Sequence, residues 1–268
     1  MTTEPMVGPT EVRQSYQRIN ERIAAAALKS GRRPEDVLMV AVTKNASPDQ
    51  IRTLVDLGHT DLGENRVQQL TQRAAQLEEY LSRRRSLGNA VEGEPTIVPD
   101  RIRWHMIGHL QRNKVKQAVP IVDLIHGIDS LRLAEELHAY GARTDQVIDI
   151  LLQVNVSGEI SKHGVASPAA LHVAEQIDTM MHLRLRGIMT MAPYSDRPED
   201  ARPTFARAAG IFHDIRKEGI GGPDFTVLSM GMSGDFEVAI EEGANVIRIG
   251  RGLFGNNEKT NEEDDHDE

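Results

Sequence analysis

The sequence predicts one α/β domain, a (β/α)8 TIM barrel. Three observations lead there: the 268-residue length, eight short apolar runs alternating with helix-patterned segments, and polar residues placed just after most of those runs. Eight βα units typically need roughly 250 residues, so the chain fits this architecture without a second large domain. Alternating strand and helix signals point to parallel βαβ units, and eight strands can close on themselves. Periodicity alone leaves an open doubly wound sheet as the alternative. No internal repeat and no interdomain linker stands out.

The elements follow in order. Residues 1–9 read as a flexible end. Residues 10–30 carry apolar residues at helical spacing and are rich in Ala, and Gly31 follows where a C-cap glycine belongs. The apolar, β-branched run 37–42 (VLMVAV) predicts a strand buried on both faces, closed by Thr43-Lys44-Asn45. Ser47-Pro48 opens a helix that runs to about Leu57, and Gly58 ends it. DLGEN (61–65) predicts a second strand and Arg66–Ser82 a helix, and the charged, Gly/Pro-containing stretch 83–101 reads as an exposed loop. Further strands are expected at 103–108, 124–129, 149–155, 183–191, 226–232 and 245–250. Helices are expected at 130–139, 167–181, 203–218 and 234–242.

Composition narrows the classes. There is no cysteine, so disulfides, cysteine metal sites and cysteine nucleophiles are excluded. Aromatic residues make up 4 %, so the core is expected to be aliphatic and Met-rich. Of the net charge of −9, residues 256–268 carry seven acids and one lysine, and this acidic tail lacks an apolar face and is expected to be disordered. What remains gives no electrostatic case for nucleic acid. No apolar run approaches the 18 residues of a membrane span, and the N-terminus has no basic-then-apolar leader pattern. No HExxH or similar metal spacing is present, so no metal site is expected.

Chemistry in such a barrel gathers at the C-terminal ends of the strands. Those ends here carry Lys44, Glu64-Asn65, His105, Asp129, Asn155, Thr190, Met232-Ser233 and the run from Arg248 through Gly252. Lys44 ends a buried strand. Desolvation there would favour its neutral amine, ready to attack an aldehyde; the other reading is a rim lysine whose head reaches solvent. The loops after strands seven and eight, 229–235 and 249–255, are rich in Gly and Ser, and phosphate sites in barrels often use these loops. Either loop alone could equally be an ordinary turn. Arg248, inside an apolar strand, needs a partner, whether a cofactor or a structural carboxylate. His105 and His126 could both be core histidines.

Taken together, these segments resemble the pyridoxal phosphate homeostasis proteins, which share the barrel of the alanine racemase N-terminal domain. The resemblance rests on AVTKNASPDQI (41–51), DLGENRVQQL (61–70), WHMIGHLQRNKVK (104–116), HGIDS (126–130), LLQVNVSGEISKHGV (151–165), RGIMTMAPYS (186–195) and LSMGMSGDFEVAIEEGANVIRIGRGLFG (228–255). It covers most of residues 10–255, which it implies form a fold-type III pyridoxal 5′-phosphate (PLP) barrel without the racemases' C-terminal β domain. It implies that Lys44 is the Schiff-base lysine and that Asn65 and His105 line the ring pocket. Met232 and Ser233 would bind phosphate, with Gly250, Arg251 and Gly252 as the partner loop, and Arg248 would face the pyridine nitrogen. Arg251 departs from the family's usual Ser or Thr. It could replace the lost hydroxyl with a charged contact, or point outward while its backbone N–H serves. Lys162 matches a further family lysine and reads either as a second reactive amine or as a solvated loop residue.

The resemblance implies a cytoplasmic carrier that buffers PLP and keeps vitamin B6 and amino-acid pools balanced, with no catalytic reaction. PLP is the expected partner, with PLP-dependent apo-enzymes as recipients and the chain itself a monomer. The alternative is a PLP-dependent amino-acid racemase. That reaction needs a second base, for which Tyr194, in the loop after strand six, is the candidate.

Overall fold

The computed structural model describes residues 8–87, 98–159 and 163–255. Residues 1–7, most of the 83–101 loop, Lys162 and the tail 256–268 lie outside the described residues. The helix α1 (Pro9–Lys29) precedes the first strand, β1 (Leu38–Val42). Then come α2 (Pro48–Asp56), β2 (Asp61–Glu64), α3 (Val67–Leu87), β3 (Arg103–Met106), α4 (Val115–Ala118), β4 (Leu124–Ile128), α5 (Leu131–Thr144) and β5 (Ile148–Asn155). The chain continues through β6 (Val165–Ala166), α6 (Ala170–Asp178), β7 (Leu183–Met189), α7 (Arg202–Lys217), β8 (Val227–Ser229), α8 (Phe236–Glu241), β9 (Val246–Ile249) and α9 (Arg251–Phe254).

Every strand pairing is parallel. The order runs β1-β2-β3-β4-β5-β7-β8-β9, and β9 pairs back onto β1, so the sheet closes and the open doubly wound alternative falls away. The two residues of β6 add to β5 outside the ring. The eight ring strands fall on the eight expected runs.

Several boundaries differ from expectation. Helix α1 takes in Pro9, at its first turn, and the Glu11 carboxylate accepts the Gly8 N–H at 2.7 Å. Helix α3 runs past Ser82 to Leu87, into what composition marked as loop. The arginines there are compatible with an exposed helical face: Arg83 pairs with Glu79 one turn back, and Arg84 Nη1 donates to the Tyr80 hydroxyl at 3.2 Å. Strand β6 and the helices α4 and α9 were not expected. Each is two to four residues long, too short for a periodic signal.

Helix α1 packs across α2, α8 and α9 through Val12, Ile19, Ile23 and Ala26, a helical-period stripe. The core between helices and barrel is mostly aliphatic, as composition implied. Its largest fully buried side chains, however, are Phe205, Phe225, Phe236 and Phe254, so the few aromatics are concentrated there.

Candidate functional site

The site grows from the end of β1. The Thr43 N–H donates to Gly63 O at 3.0 Å, which carries the ladder one residue past the strand, and the chain then turns, with Ala46 N–H on Thr43 O at 2.8 Å. Ser47 caps α2: its Oγ accepts from Gln50 N–H at 3.3 Å, and Gln50 Oε1 accepts the Ser47 N–H at 2.8 Å. Such reciprocal caps contribute about 1 kcal/mol and fix where the loop ends. Lys44 sits between these two anchors with its side chain exposed. The dry surroundings expected for a lysine at a strand end are therefore not found. The strand stops at Val42, and the turn lifts Lys44 above the barrel rim.

Arg73, on α3, holds this loop from the side. One guanidinium nitrogen binds Thr43 O and the Glu64 carboxylate, and the other donates to Ala46 O at 3.1 Å and Lys44 O at 3.3 Å. Glu64 is fully buried and its Oε1 also takes the Thr43 hydroxyl. Nothing in the sequence marked Arg73, because it is one of many polar residues on a polar helix.

Strand register carries Asn65 to the level of Lys44, since Val42 pairs with Gly63. Asn65 Oδ1 is buried and without a hydrogen-bond partner among the described residues. An unpaired buried acceptor of this kind marks a position built for a partner. Its backbone is pressed by Gly108, where a Cβ would lie 2.3 Å from Asn65 O, so only glycine fits beyond β3.

Below this rim a polar chain crosses the barrel. Arg103 donates to Asp61 through Nε at 2.7 Å and through Nη2. His105 Nε2 lies 3.2 Å from Asp61 Oδ1, and its Nδ1 lies 3.0 Å from His126 Nε2. His126 Nδ1 is 3.1 Å from Ser229 Oγ, a contact between β4 and β8, which are not neighbours in the sheet. Arg248 Nη1 donates to the same Oγ at 2.6 Å, and its Nη2 to Thr190 O at 2.9 Å. One tautomer set satisfies the series: Ser229 O–H to His126, His126 Nε2–H to His105, His105 Nε2–H to Asp61.

Burial, with His105 and Arg248 nearby, pushes the His126 imidazole well below its ordinary range, so it is neutral. Burial would raise the Asp61 carboxyl, but hydrogen bonds from His105 and Arg103 outweigh it and hold it below the usual carboxylate range. His105 thus stands inside the barrel with both ring nitrogens engaged, and only its ring surface is left for a ligand.

Arg248 is buried, and no carboxylate stands within ion-pair distance among the described residues. Desolvation lowers its guanidinium to about 10, with Asp235 the acid that pulls the other way, so it stays charged at neutral pH.

The two Gly/Ser loops meet. Gly252 N–H donates to Ser233 Oγ at 3.1 Å. Met232 N–H donates to Asp235 Oδ1 at 2.6 Å, and burial pushes that carboxyl up. The Cα of Gly250 packs on Val42, where a Cβ would sit 3.3 Å from Val42 Cβ. Arg251 is exposed, with its guanidinium carbon 6.0 Å from the centre of the Tyr194 ring. Lys44, Asn65, Arg248 and the two loops thus share one mouth of the barrel. The structure also gathers His109, Asp129 and His163 there, a grouping no spacing revealed.

Residues 40–258 match the family model described as alanine racemase, N-terminal domain. The pyridoxal phosphate homeostasis protein of Aquifex aeolicus is 35 % identical over 243 residues, covering 90 % of this chain and 96 % of that protein. A protein of unknown function from Bifidobacterium adolescentis superposes with a TM-score of 0.81 at 33 % identity, covering 92 % of this chain and 95 % of the other. PipY of Synechococcus elongatus PCC7942, solved with PLP bound, superposes with a TM-score of 0.70 at 31 % identity, covering 88 % and 100 %. The chain belongs to the family of the alanine racemase N-terminal domain and, within it, to the pyridoxal phosphate homeostasis proteins.

Proposed function

We propose that this chain binds PLP at the barrel mouth, carries and buffers it as part of intracellular PLP and amino-acid homeostasis, and catalyses no reaction of its own. The observation that carries the reading is the orphaned, buried Asn65 Oδ1 level with the exposed Lys44 amine, above a buried Arg248 that lacks a carboxylate partner among the described residues. That donor and acceptor set fits an aldehyde-bearing aromatic ring with a phosphate arm. Lys44 Nζ is the amine that would hold the aldehyde carbon as a Schiff base, with Asn65 and the face of His105 beside the ring. The Met232-Ser233 loop and Gly250-Arg251-Gly252 would take the phosphate through backbone N–H groups and the Ser233 hydroxyl. The likeness to PipY, solved with PLP bound, supports the same ligand.

Bound there, the cofactor supplies an electron-withdrawing ring. Arg248, charged and buried, would keep a ring nitrogen held beside it unprotonated, because two adjacent positive charges repel, and so would weaken that withdrawal. This favours carrying over carbanion chemistry. Tyr194 does not support the racemase alternative: it is 78 % exposed and its hydroxyl donates to Asp196 at 3.0 Å. A place in the cytoplasm and PLP-dependent apo-enzymes as recipients accord with this reading, as does a monomer.

The test is the absorption spectrum of the purified protein with added PLP, before and after borohydride, followed by peptide mapping. A near-visible band bleached by borohydride, with the pyridoxyl mass on Lys44 and absent in Lys44→Ala, is the expected outcome. An unchanged spectrum in Lys44→Ala would overturn the Schiff-base assignment. The carrier reading is refuted if amino acids are racemised at a rate that Tyr194→Phe abolishes.

A further inference from the structure

Three neighbouring strands deliver a second set of groups to the same mouth. His109 lies three residues past β3, Asp129 directly follows β4, and His163 lies in the segment between β5 and β6. His109 Nδ1 is 2.8 Å from Asp129 Oδ2, and His163 Nδ1 is 3.6 Å from that same oxygen. The two imidazoles stack, with centroids 4.6 Å apart and planes 16° from parallel, so both Nδ1 atoms converge on one carboxylate oxygen. One ligand atom from each residue lies within 4.8 Å of the others.

We propose that His109, Asp129 and His163 form a binding site for a borderline divalent transition ion of the zinc type. Ligand bonds of about 2.0–2.1 Å in a tetrahedron place ligand atoms about 3.3 Å apart, a separation that the 2.8 and 3.6 Å contacts bracket. Two imidazoles and one carboxylate leave a coordination position open. A cavity of about 700 Å³ lined by His109 and Asp129 opens beside it, giving water or a small anion access to that position. Asp129 is only 9 % exposed, and among the described residues its side-chain partners within 4 Å are these two imidazoles, with no Lys or Arg to neutralise it.

The third ligand is held in place independently. Buried Gln153 donates through Nε2 to His163 O at 3.0 Å. Gly164 has φ +128, and a Cβ there would lie 2.7 Å from Asn155 N, so the chain after His163 is pinned against β5 in a conformation that favours glycine. To take the ion, His109 carries its ring hydrogen on Nε2 in place of Nδ1, a tautomer open to a half-exposed ring.

The site does not depend on the PLP reading, since Lys44 takes no part in it. The test is calorimetric titration of the full-length protein with zinc chloride, together with the visible spectrum of the cobalt-loaded protein. One saturable equivalent is expected, with nitrogen-ligand cobalt bands. Loss of an outer-shell partner alone weakens metal sites roughly 10–100-fold, so His109→Ala, His163→Ala and Asp129→Asn should each weaken zinc by at least about a hundredfold. Exposed His109 and His163 can be replaced without unfolding the barrel, which keeps the comparison interpretable. His266→Ala, in the acidic tail, and Lys44→Ala should leave binding unchanged. No saturation, binding that survives His109→Ala with Asp129→Asn, or binding abolished by His266→Ala would each overturn the assignment.

Discussion

Replacing Arg73 by Met should reveal how the Lys44 loop is held. The change keeps an apolar stem but removes the guanidinium that bridges α3 to Thr43, Lys44 and Ala46 carbonyls and to Glu64. Lys44 is exposed, so its carbonyl can turn to water, and Thr43 O keeps the Ala46 N–H as a donor, so the main cost falls on Glu64. Glu64 cannot: it is fully buried, its Oε2 has no hydrogen-bond partner among the described residues, and Arg73, only 16 % exposed, is its counterion. Stranding a buried charge in this way costs about 3–5 kcal/mol. At roughly 2–4 °C per kcal/mol for a domain of this size, the melting temperature should fall by about 6–20 °C.

The decisive variant is Arg73→Met combined with Glu64→Gln. The amide that replaces the carboxylate can still accept the Thr43 hydroxyl but carries no charge to strand, so the double variant should melt above Arg73→Met alone. Thermal denaturation of wild type, both singles and the double closes the cycle. An Arg73→Met protein that melts within about 2 °C of wild type, or a double variant no more stable than it, would refute the buried-charge argument.

Other outcomes follow from the barrel interior and the rim. Asp61→Asn should cost about 1–3 kcal/mol at pH 7, because the amide keeps one oxygen to accept from His105 but loses the charge and the second acceptor oxygen; the Arg103 contribution is discounted because that side chain is half exposed. The Asp61 carboxyl is held below its unfolded value of about 3.9, so its stabilisation is whole above about pH 4 and fades as pH falls further. The gap between variant and wild type in urea melts should therefore narrow below pH 4, and a gap equal at pH 7 and pH 3 would contradict this. Gly108→Ala drives a methyl into the Asn65 backbone and should cost about 1–3 kcal/mol, with weakened PLP uptake. Gly210→Ala, on an exposed face of α7 with no atom near the added methyl, should instead stabilise by about 0.5–1 kcal/mol. Paired thermal melts of the two glycine variants would separate steric cost from backbone entropy.

The sequence by itself determined the eight strands, their alternation with helices, the helix start at Ser47-Pro48 and the Gly/Ser loops after the last two ring strands. All of these are written in local patterns: an apolar run, a helical stripe, a Ser-Pro pair at a helix start. The motifs also carried Lys44, Asn65, Arg248 and the two loops as a set, which the fold brings to one mouth. Tertiary structure alone decided the rest. It closed the sheet by pairing β9 with β1 and β4 with β5. It lifted Lys44 into solvent, turned His105 inward onto Asp61 and His126, and set Arg73 against a loop 30 residues away. It also placed His109, Asp129 and His163 around one point, because β3, β4 and β5 are neighbours in the ring. These contacts join residues far apart in the chain. Strand order and register set them, and neither leaves a trace in the spacing of residues along one segment.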